Sequence, residues 1–475
     1  MFDNKSINRR EFVAGTSGIL LAGVLGHQQR SAAADSPPLQ AATFQSDVTP
    51  PLGFPSYPSF KPLETVEHPL LAKGVVLDSG GQRYVLCAFD WCVCSNSSRL
   101  MFQQKIAEAA GADVDAVALH MVHQHTAPIV DADAQKILDS LDNPPPYLDL
   151  AFLDDASDRL AAAVKKSLGG LQAVDRIGTG EAKVDRVASS RRIFTEDGKF
   201  HGRMSSTRGR PHLRELPEGL IDPMLKTITL AASDKPLARL HYYATHPQSF
   251  YGDPRVSYDF PGIAREEMEQ EEGVFQVYFT GCAGDIAAGK YNDGTPEARR
   301  QLADRLLAGM KAAIDATRLE PTGPVTWRTA PVLLPPKLAP NPEVAGLFSL
   351  RGLHPEQLRS LMANGKESPN TRIGAARRLA FLNRADRPIT LSGLQFGRVY
   401  IVHLPGEPMI EFQLDAQRQR PDAFVAVAGY GEGCTNYICT AQAFKEGGYE
   451  PTATSVGPES EELLKAGIGR VLGLA

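Results

Sequence analysis

The sequence predicts an α/β fold: a mixed β-sheet core flanked by helices, built as a single large domain. Three observations predict it. Apolar runs come in hairpin-like pairs, at 70–77 with 83–93, at 227–230 with 238–244, and within 389–404. Stretches with apolar residues at helical spacing alternate with those pairs, over about 96–110, 148–168 and 295–316. The 475 residues are 43% hydrophobic and 22% charged, an ordinary globular balance that allows a sizeable core. Strands and helices that alternate along the chain argue for sheet and helix layers.

Taken in order, residues 1–34 read as a twin-arginine-type signal peptide. Asn8-Arg9-Arg10-Glu11-Phe12-Val13 precedes a mildly apolar run to Gly26, and Ser31-Ala32-Ala33-Ala34 supplies small residues for cleavage. That run is too short and too rich in Gly to span a bilayer. The expectation is a periplasmic or secreted bacterial protein with no transmembrane segment in the mature chain. A Pro-rich linker is expected over 35–43 and one domain over 44–475, with a helical insertion at 339–386. Asp78-Ser79-Gly80-Gly81 and Ser233-Asp234-Lys235-Pro236 are hairpin turns. Asn96 or Ser97 is expected to cap the first helix, and Gly169-Gly170 follows the second. Arg186 to Thr207 reads as a polar loop over the sheet. Further strands fall at 274–279 and 424–428, a helix continues over 266–272, and another closes the chain from 458 to 474. No internal repeat emerges, and Gly281 to Gly289 lacks the Lys-Ser/Thr of a phosphate loop.

Charge narrows the partners. The formal net charge is −5, and four basic against two acidic residues in 1–34 leave the remainder near −7. That balance gives no basic stripe for nucleic acid or for anionic lipid and argues against phosphate-rich partners. The six cysteines lie mostly in apolar runs without zinc-ribbon spacing, so free buried thiols are expected; Cys434–Cys439 is the pair nearest a disulfide.

Several apolar strands end in polar groups: Asp90, His123 and His125, His246, Asp285, Glu407 and Tyr437. Strand ends are where α/β sheets bind ligands. The stretch from Val117 to Pro128 reads as a strand, and its alternation puts His123 and His125 on one face with His120 on the other. His120 and His241 are therefore expected to be packed core histidines. A His, His, Glu set with one further oxygen suits Zn²⁺, which favours tetrahedral N and O ligands. The competing reading of each histidine is a strand-end ring satisfied by backbone carbonyls. Asp285 either holds the second ring nitrogen of a ligand histidine or stabilises its own turn, and Asp47 and Asp90 either cap loops or support the site.

The ordered blocks resemble the catalytic domain of the neutral/alkaline (non-lysosomal) ceramidase family. They are Asp47-Val48-Thr49-Pro50, His123-Gln124-His125-Thr126-Ala127-Pro128, Thr245-His246-Pro247, Gly284-Asp285-Ile286-Ala287, Gly406-Glu407, Tyr437-Ile438-Cys439-Thr440 and Tyr449-Glu450. The resemblance implies that His123, His246, Glu407 and Tyr437 hold Zn²⁺. His125 would be a general base or acid, Tyr449 a donor to the substrate carbonyl oxygen, and Arg191 (with Arg192 beside it) the site arginine. It also implies a small-molecule or lipid-like amide substrate, lipid metabolism and hydrolysis of an amide or ester bond by metal-activated water. Departures are as informative. The serine of the Gly-Asp block is Ala287, the histidine block carries Ala127, and Cys434 replaces a tyrosine. A chain ending soon after Glu450 is expected to lack the family's immunoglobulin-like C-terminal domain. Ala287 keeps a second expectation open, a non-catalytic zinc-containing ligand-binding homologue; a sugar- or peptide-directed metallohydrolase is the third.

Overall fold

A computed structural model describes residues 38–250, 255–339 and 350–474. The export segment expected over 1–34 lies outside them, as do the start of the linker and residues 340–349 of the insertion. The chain divides after Ser36, and all the elements named below belong to the unit beginning at Pro37.

The expected mixed α/β architecture is present, and three sheets are built the same way. The first runs β1 (Leu39–Asp47), β2 (Leu71–Ser79), β3 (Gln82–Phe89), α1 (Asn96–Ala110), β4 (Val117–Met121), α2 (Leu150–Ser167) and β5 (Gln172–Val174), with strand order β5-β1-β2-β3-β4. The second runs β6 (Arg176–Lys183), β7 (Met224–Ala232), β8 (Lys235–Tyr243), α3 (Asp259–Glu272), β9 (Phe275–Thr280), α4 (Pro296–Asp315) and β10 (Arg318–Pro321), with order β9-β8-β7-β6-β10. The third begins at β11 (Val325–Val332) and takes in the expected insertion, with α5 (Pro355–Ala363) and α6 (Pro369–Leu382). It continues through β12 (Ile389–Phe396), β13 (Val399–His403), α7 (Ile410–Gln419), β14 (Phe424–Ala428) and α8 (Ser460–Val471), with order β11-β12-β13-β14.

In each sheet a hairpin is followed by a crossover helix and a strand parallel to the second hairpin strand, as β3 with β4, β8 with β9 and β13 with β14. A tight turn can return a strand antiparallel, whereas a parallel neighbour needs the longer crossover. All three hairpins close in two residues, and the first of each pair has positive φ: Gly80 at 63°, Ser233 at 56° and Gly397 at 55°. Mirror-type turns of this kind match the twist of the flanking strands. The helix pairs α1/α2, α3/α4 and α7/α8 pack together, and α2, α4 and α8 lie on β1, β6 and β11. This threefold repeat of topology corrects the expectation of no internal repeat; it lives in strand order and is not carried by any repeated motif.

The construction gathers C-terminal strand ends. Met121 N–H donates to Tyr430 O at 3.0 Å and Gly429 N–H to Thr280 O at 3.0 Å, tying the ends of β4, β9 and β14 together. His120 completes the junction: its Nδ1 donates to Gly429 O at 2.8 Å and its Nε2 accepts Thr280 N–H at 2.9 Å. Phe279 packs there against His120 and His403 and stacks on Tyr242.

Other boundaries differ from the sequence reading. The segment 35–43 is not all linker: β1 starts at Leu39, just past the prolines, because Leu39, Ala41 and Phe44 are buried and pair against β2 and β5. Arg186 to Thr207 contains the short paired strands Ser189–Ser190, Arg192–Phe194 and Phe200–Gly202. The N-cap of α1 is Ser95, one position before the expected pair, and it makes no side-chain cap. Distant carboxylates do that work: Glu432 accepts Asn96 N–H at 3.0 Å and Asp133 accepts Ser97 N–H at 2.9 Å. All six cysteines are free and buried. Asp90 forms a bidentate pair with buried Arg265 at 2.8 and 2.9 Å and also accepts Leu71 N–H, so its role is structural.

Candidate active site

The chain leaves β4 after Met121, so strand alternation is not what brings His123 and His125 together. Val122 N–H and His123 N–H still donate to Phe89 O and Trp91 O, and His123 adopts φ 73°. A positive φ is uncommon for a side chain with a Cβ and marks a position held by its surroundings. The resulting turn leaves the two rings 4.9 Å apart and nearly perpendicular. His120, still within β4, is the buried structural residue expected. His241 is too, with Thr227 Oγ1 and Gln276 Oε1 on its two nitrogens.

His246 follows β8, where its backbone N–H donates to Ile286 O at 2.9 Å. Glu407 follows β13 and lies directly opposite Tyr437 in a short parallel pairing, its N–H donating to Asn436 O at 2.8 Å. Gly406 makes this close approach feasible. Its φ is 60°, and a Cβ there would collide with Thr435 Oγ1 and Asn436 O.

Three ligand atoms converge. His246 Nε2 is 3.2 Å and His123 Nε2 is 3.3 Å from the same oxygen, Glu407 Oε2, and the second lacks hydrogen-bond alignment. Each ring's other nitrogen is committed: His123 Nδ1 donates to Cys92 O at 2.7 Å, and His246 Nδ1 to Ala283 O at 2.5 Å with Ile286 O at 3.1 Å. A carbonyl only accepts, so both Nδ1 atoms carry protons and, in neutral rings, both Nε2 lone pairs face a carboxylate oxygen. Three buried acceptors aimed at one point repel unless a cation lies among them. His123, His246 and Glu407 therefore form a group able to hold a metal ion, with ligand atoms within 4.8 Å of one another. The electrostatics agree. Burial alone would raise Glu407, but His123 and then His246 hold it well below the carboxylate range. Burial opposes protonation of His123, yet Cys92 and Glu407 outweigh it and lift the group to about 10. His246 moves the other way, lowered by burial first. A single proton on His123 satisfies one contact; a divalent cation satisfies all three atoms.

Cys92, His123 and His125 make a second grouping within the same spread. Cys92 Sγ lies 3.8 Å from His123 Nδ1, the nitrogen already engaged by the Cys92 carbonyl, so it faces the wrong side of the ring for the Nε2 centre.

Around this centre, Gln248 Nε2 lies 3.2 Å from His125 Nδ1, and the Tyr57 ring is 5.6 Å from His125. Burial, then the neighbouring His123 and His246, push His125 well below the usual imidazole range, leaving it a neutral base. Arg191 is buried and donates through Nη1 to Tyr437 Oη at 3.1 Å and Gly284 O at 3.3 Å. Its Nε is 3.2 Å from Glu450 Oε1, and its guanidinium lies 5.0 Å from the centre of the Tyr449 ring. Arg192 pairs with Glu446 and Glu450 and so supports the same carboxylate. The Tyr437 ring is 6.4 Å from His246 and 5.6 Å from Tyr449, which is half exposed at the start of the helix Tyr449–Ala453. Burial raises the Tyr437 phenol although Arg191 opposes it.

Two expected positions fall elsewhere. Asp285 does not stand behind a histidine: its carboxylate accepts Ile410 N–H at 2.9 Å at the start of α7, and backbone carbonyls orient His246 instead. Asp47 is exposed at the end of β1 and accepts Thr49 N–H, capping its own turn. Sequence reasoning misses Tyr430. Its ring stacks 4.4 Å from His123 and its Oη lies 3.4 Å from His246 Nδ1. The signal for it is an aromatic residue between two glycines just past an apolar strand. The Cys92 carbonyl and Gln248 leave no comparable trace, and Glu450, present in the last ordered block, has no role assigned there.

No protein-family model and no curated protein matches the chain. Among solved structures it is similar to neutral ceramidase from Pseudomonas aeruginosa, with a TM-score of 0.65 at 16% identity over 93% of this chain and 75% of that one. It is similar also to a ceramidase complexed with C2, with a TM-score of 0.65 at 14% identity over 92% and 76% of the two chains. Over nearly its whole length, the chain has a neutral ceramidase-like fold.

Proposed function

We propose that this chain is a zinc-dependent hydrolase of an amide or ester bond in a lipid-like small molecule. The observation that carries the reading is the convergence of two tautomer-locked Nε2 atoms and one carboxylate oxygen on a single point. The likeness to two ceramidase structures supports an amide as the bond cleaved. His123, His246 and Glu407 would hold the ion, with Tyr437 beside them as the fourth ligand. All are N or O donors of the kind Zn²⁺ prefers. Bound there, zinc supplies Lewis-acid polarisation of the carbonyl and activation of water. The chain's own groups do the rest. His125, neutral through burial, takes a proton from the attacking water and returns it to the leaving nitrogen or oxygen. Arg191 fixes the Tyr437 oxygen and supports Tyr449, whose hydroxyl donates to the substrate carbonyl oxygen as negative charge develops. Ala287 contributes no hydroxyl, and neighbouring Ser189 commits its own to Ala287 O at 2.8 Å, so water is the nucleophile.

Metal analysis of the purified protein with a panel of N-acyl amides and esters tests this. About one zinc per chain is expected, with turnover abolished by a chelator and restored by zinc. Zinc without turnover of any panel member contradicts the enzymatic reading and supports a ligand-binding protein.

A further inference from the structure

The hairpin formed by Arg192–Phe194 and Phe200–Gly202 stands at the edge of this site. Arg192 fixes it there: its Nη1 donates to Gly447 O at 2.7 Å and Glu450 Oε2 at 3.1 Å, and its Nη2 to Glu446 Oε2 at 3.0 Å. Phe194 lies directly opposite Phe200 and Arg192 opposite Gly202, so alternation puts these four on one face, with buried Ile193 on the other. The two phenylalanine rings are 5.3 Å apart, and the Arg192 guanidinium lies 5.2 Å from the centre of the Phe200 ring. Gly448 lets that ring reach the residue before Tyr449. A Cβ on Gly448 would come within 2.7 Å of Arg192 Nη1 and 2.9 Å of Phe200 Cζ, and its φ is 102°. The result is an apolar surface continuous with the site. Phe194, Phe200 and Tyr449 are 45%, 37% and 50% exposed, and among the described residues no other Phe, Tyr or Trp is exposed. Apolar side chains exposed one by one are ordinary on a soluble protein; three rings gathered beside buried ligand groups are not.

We propose that Phe194 and Phe200 bind a linear hydrocarbon chain of the substrate where it runs out past Tyr449. This rests on the hydrolase reading above, in which the Tyr449 hydroxyl meets the carbonyl oxygen. A chain attached near that carbonyl has the two rings as its next apolar surface, and lying across them takes one side of it out of water. Other occupants fit less well. The hairpin tip carries exposed Glu196, Asp197 and Lys199, charges that oppose insertion into a bilayer. Three partly exposed rings also fall far short of the roughly 800 Å² that each partner buries in a standard protein interface. Phe194 and Phe200 are specificity residues in this account and take no part in bond cleavage.

The test uses the zinc-loaded full chain and two series of amides kept below their critical micelle concentrations. One is the N-acylethanolamines from butanoyl to dodecanoyl; the other is the N-acetylalkylamines from butyl to dodecyl. In at least one series kcat/KM is expected to rise about twofold per methylene, the square root of the roughly fourfold that full burial would give. The series that rises identifies the acyl or the amine side as the one bound. Phe194→Ser and Phe200→Ser should each flatten that slope and the double variant should abolish it, with Phe200→Leu retaining most of it. Rates independent of chain length in both series overturn the inference and leave the hydrolase reading standing. Serine variants that slow every member equally overturn it as well. A rise seen only above the micelle concentration would assign the rings to a lipid surface, and a dimer that the double variant dissociates would assign them to a second copy; either overturns it. Calorimetric binding of the same amides separates the two readings. Affinity that climbs with chain length, and stops climbing in the variants, keeps the ring pair even without cleavage and then removes the hydrolase. Binding blind to chain length removes the ring pair.

Discussion

Glu407→Gln is expected to leave the chain folded, strip it of metal on dialysis and lower kcat/KM by about 10³-fold or more. Glu407 Oε2 is the atom both histidines face, so it sets the geometry of the centre as well as its charge. Replacing the carboxylate by an amide removes one ligand and the only negative charge among the three atoms. The loss should exceed the 10- to 100-fold that attends removal of a hydrogen-bond partner behind a metal ligand. Folding should survive, because the amide NH₂ can donate to one Nε2 lone pair, and Gly406 and the Asn436 pairing still fix the backbone. Metal stoichiometry after dialysis, read beside circular dichroism, checks both halves. A folded variant with full metal and full turnover would contradict the assignment.

His120→Ala is expected to cost about 4 kcal/mol, a large share of the roughly 5–15 kcal/mol that holds a typical domain together. The ring bridges two backbone groups from different sheets, Gly429 O and Thr280 N–H, at the junction of the three strand ends. Its removal leaves both groups buried and unsatisfied, at about 1–3 kcal/mol each, and opens a cavity besides. Burial and then His403 push His120 down to about 3, and burial lowers His241 and His403 to about 4 and about 3. All three are neutral when folded, whereas an unfolded histidine titrates near 6.5. Their contribution to stability is therefore present above pH ~6.5 and is lost as the pH falls from there toward about 3. Denaturant titrations should show the wild type weakening through that window, and His120→Ala weakening less steeply. Loss of less than about 1 kcal/mol at neutral pH would deny His120 its place at the junction.

Local chemistry is legible wherever it is written in short patterns. Gly80-Gly81 announces a hairpin, and the helical spacing over 295–316 announces α4, which spans Pro296–Asp315. The ordered blocks name His123, His246, Glu407, Tyr437 and Tyr449, the resemblance adds Arg191 with Arg192 beside it, and the fold brings the first six into one neighbourhood. Strand alternation nonetheless does not pair His123 with His125. A strand continued to Pro128 would have sorted them by alternation, but β4 ends at Met121 and a left-handed turn does the sorting. What stays hidden is non-local. The Cys92 carbonyl behind His123, the carbonyls of Ala283 and Ile286 behind His246, and Glu432 at the start of α1 act through backbone atoms or across hundreds of residues. Backbone acceptors have no residue-type signature, and Asp285 looks like a histidine partner because a carboxylate is the visible alternative. The threefold topology is hidden for the same reason. Helix and strand patterning constrains each unit's order, while the helices and turns that fill it are free to differ.

The central claim is that His123, His246 and Glu407 bind one cation through nitrogen and oxygen alone. X-ray absorption at the zinc edge of the metal-loaded full chain tests it directly. The predicted spectrum has N and O as nearest neighbours at about 2.0–2.2 Å with the outer scattering of two imidazoles. Sulfur at about 2.3 Å would move the ion to the Cys92 grouping and contradict the account.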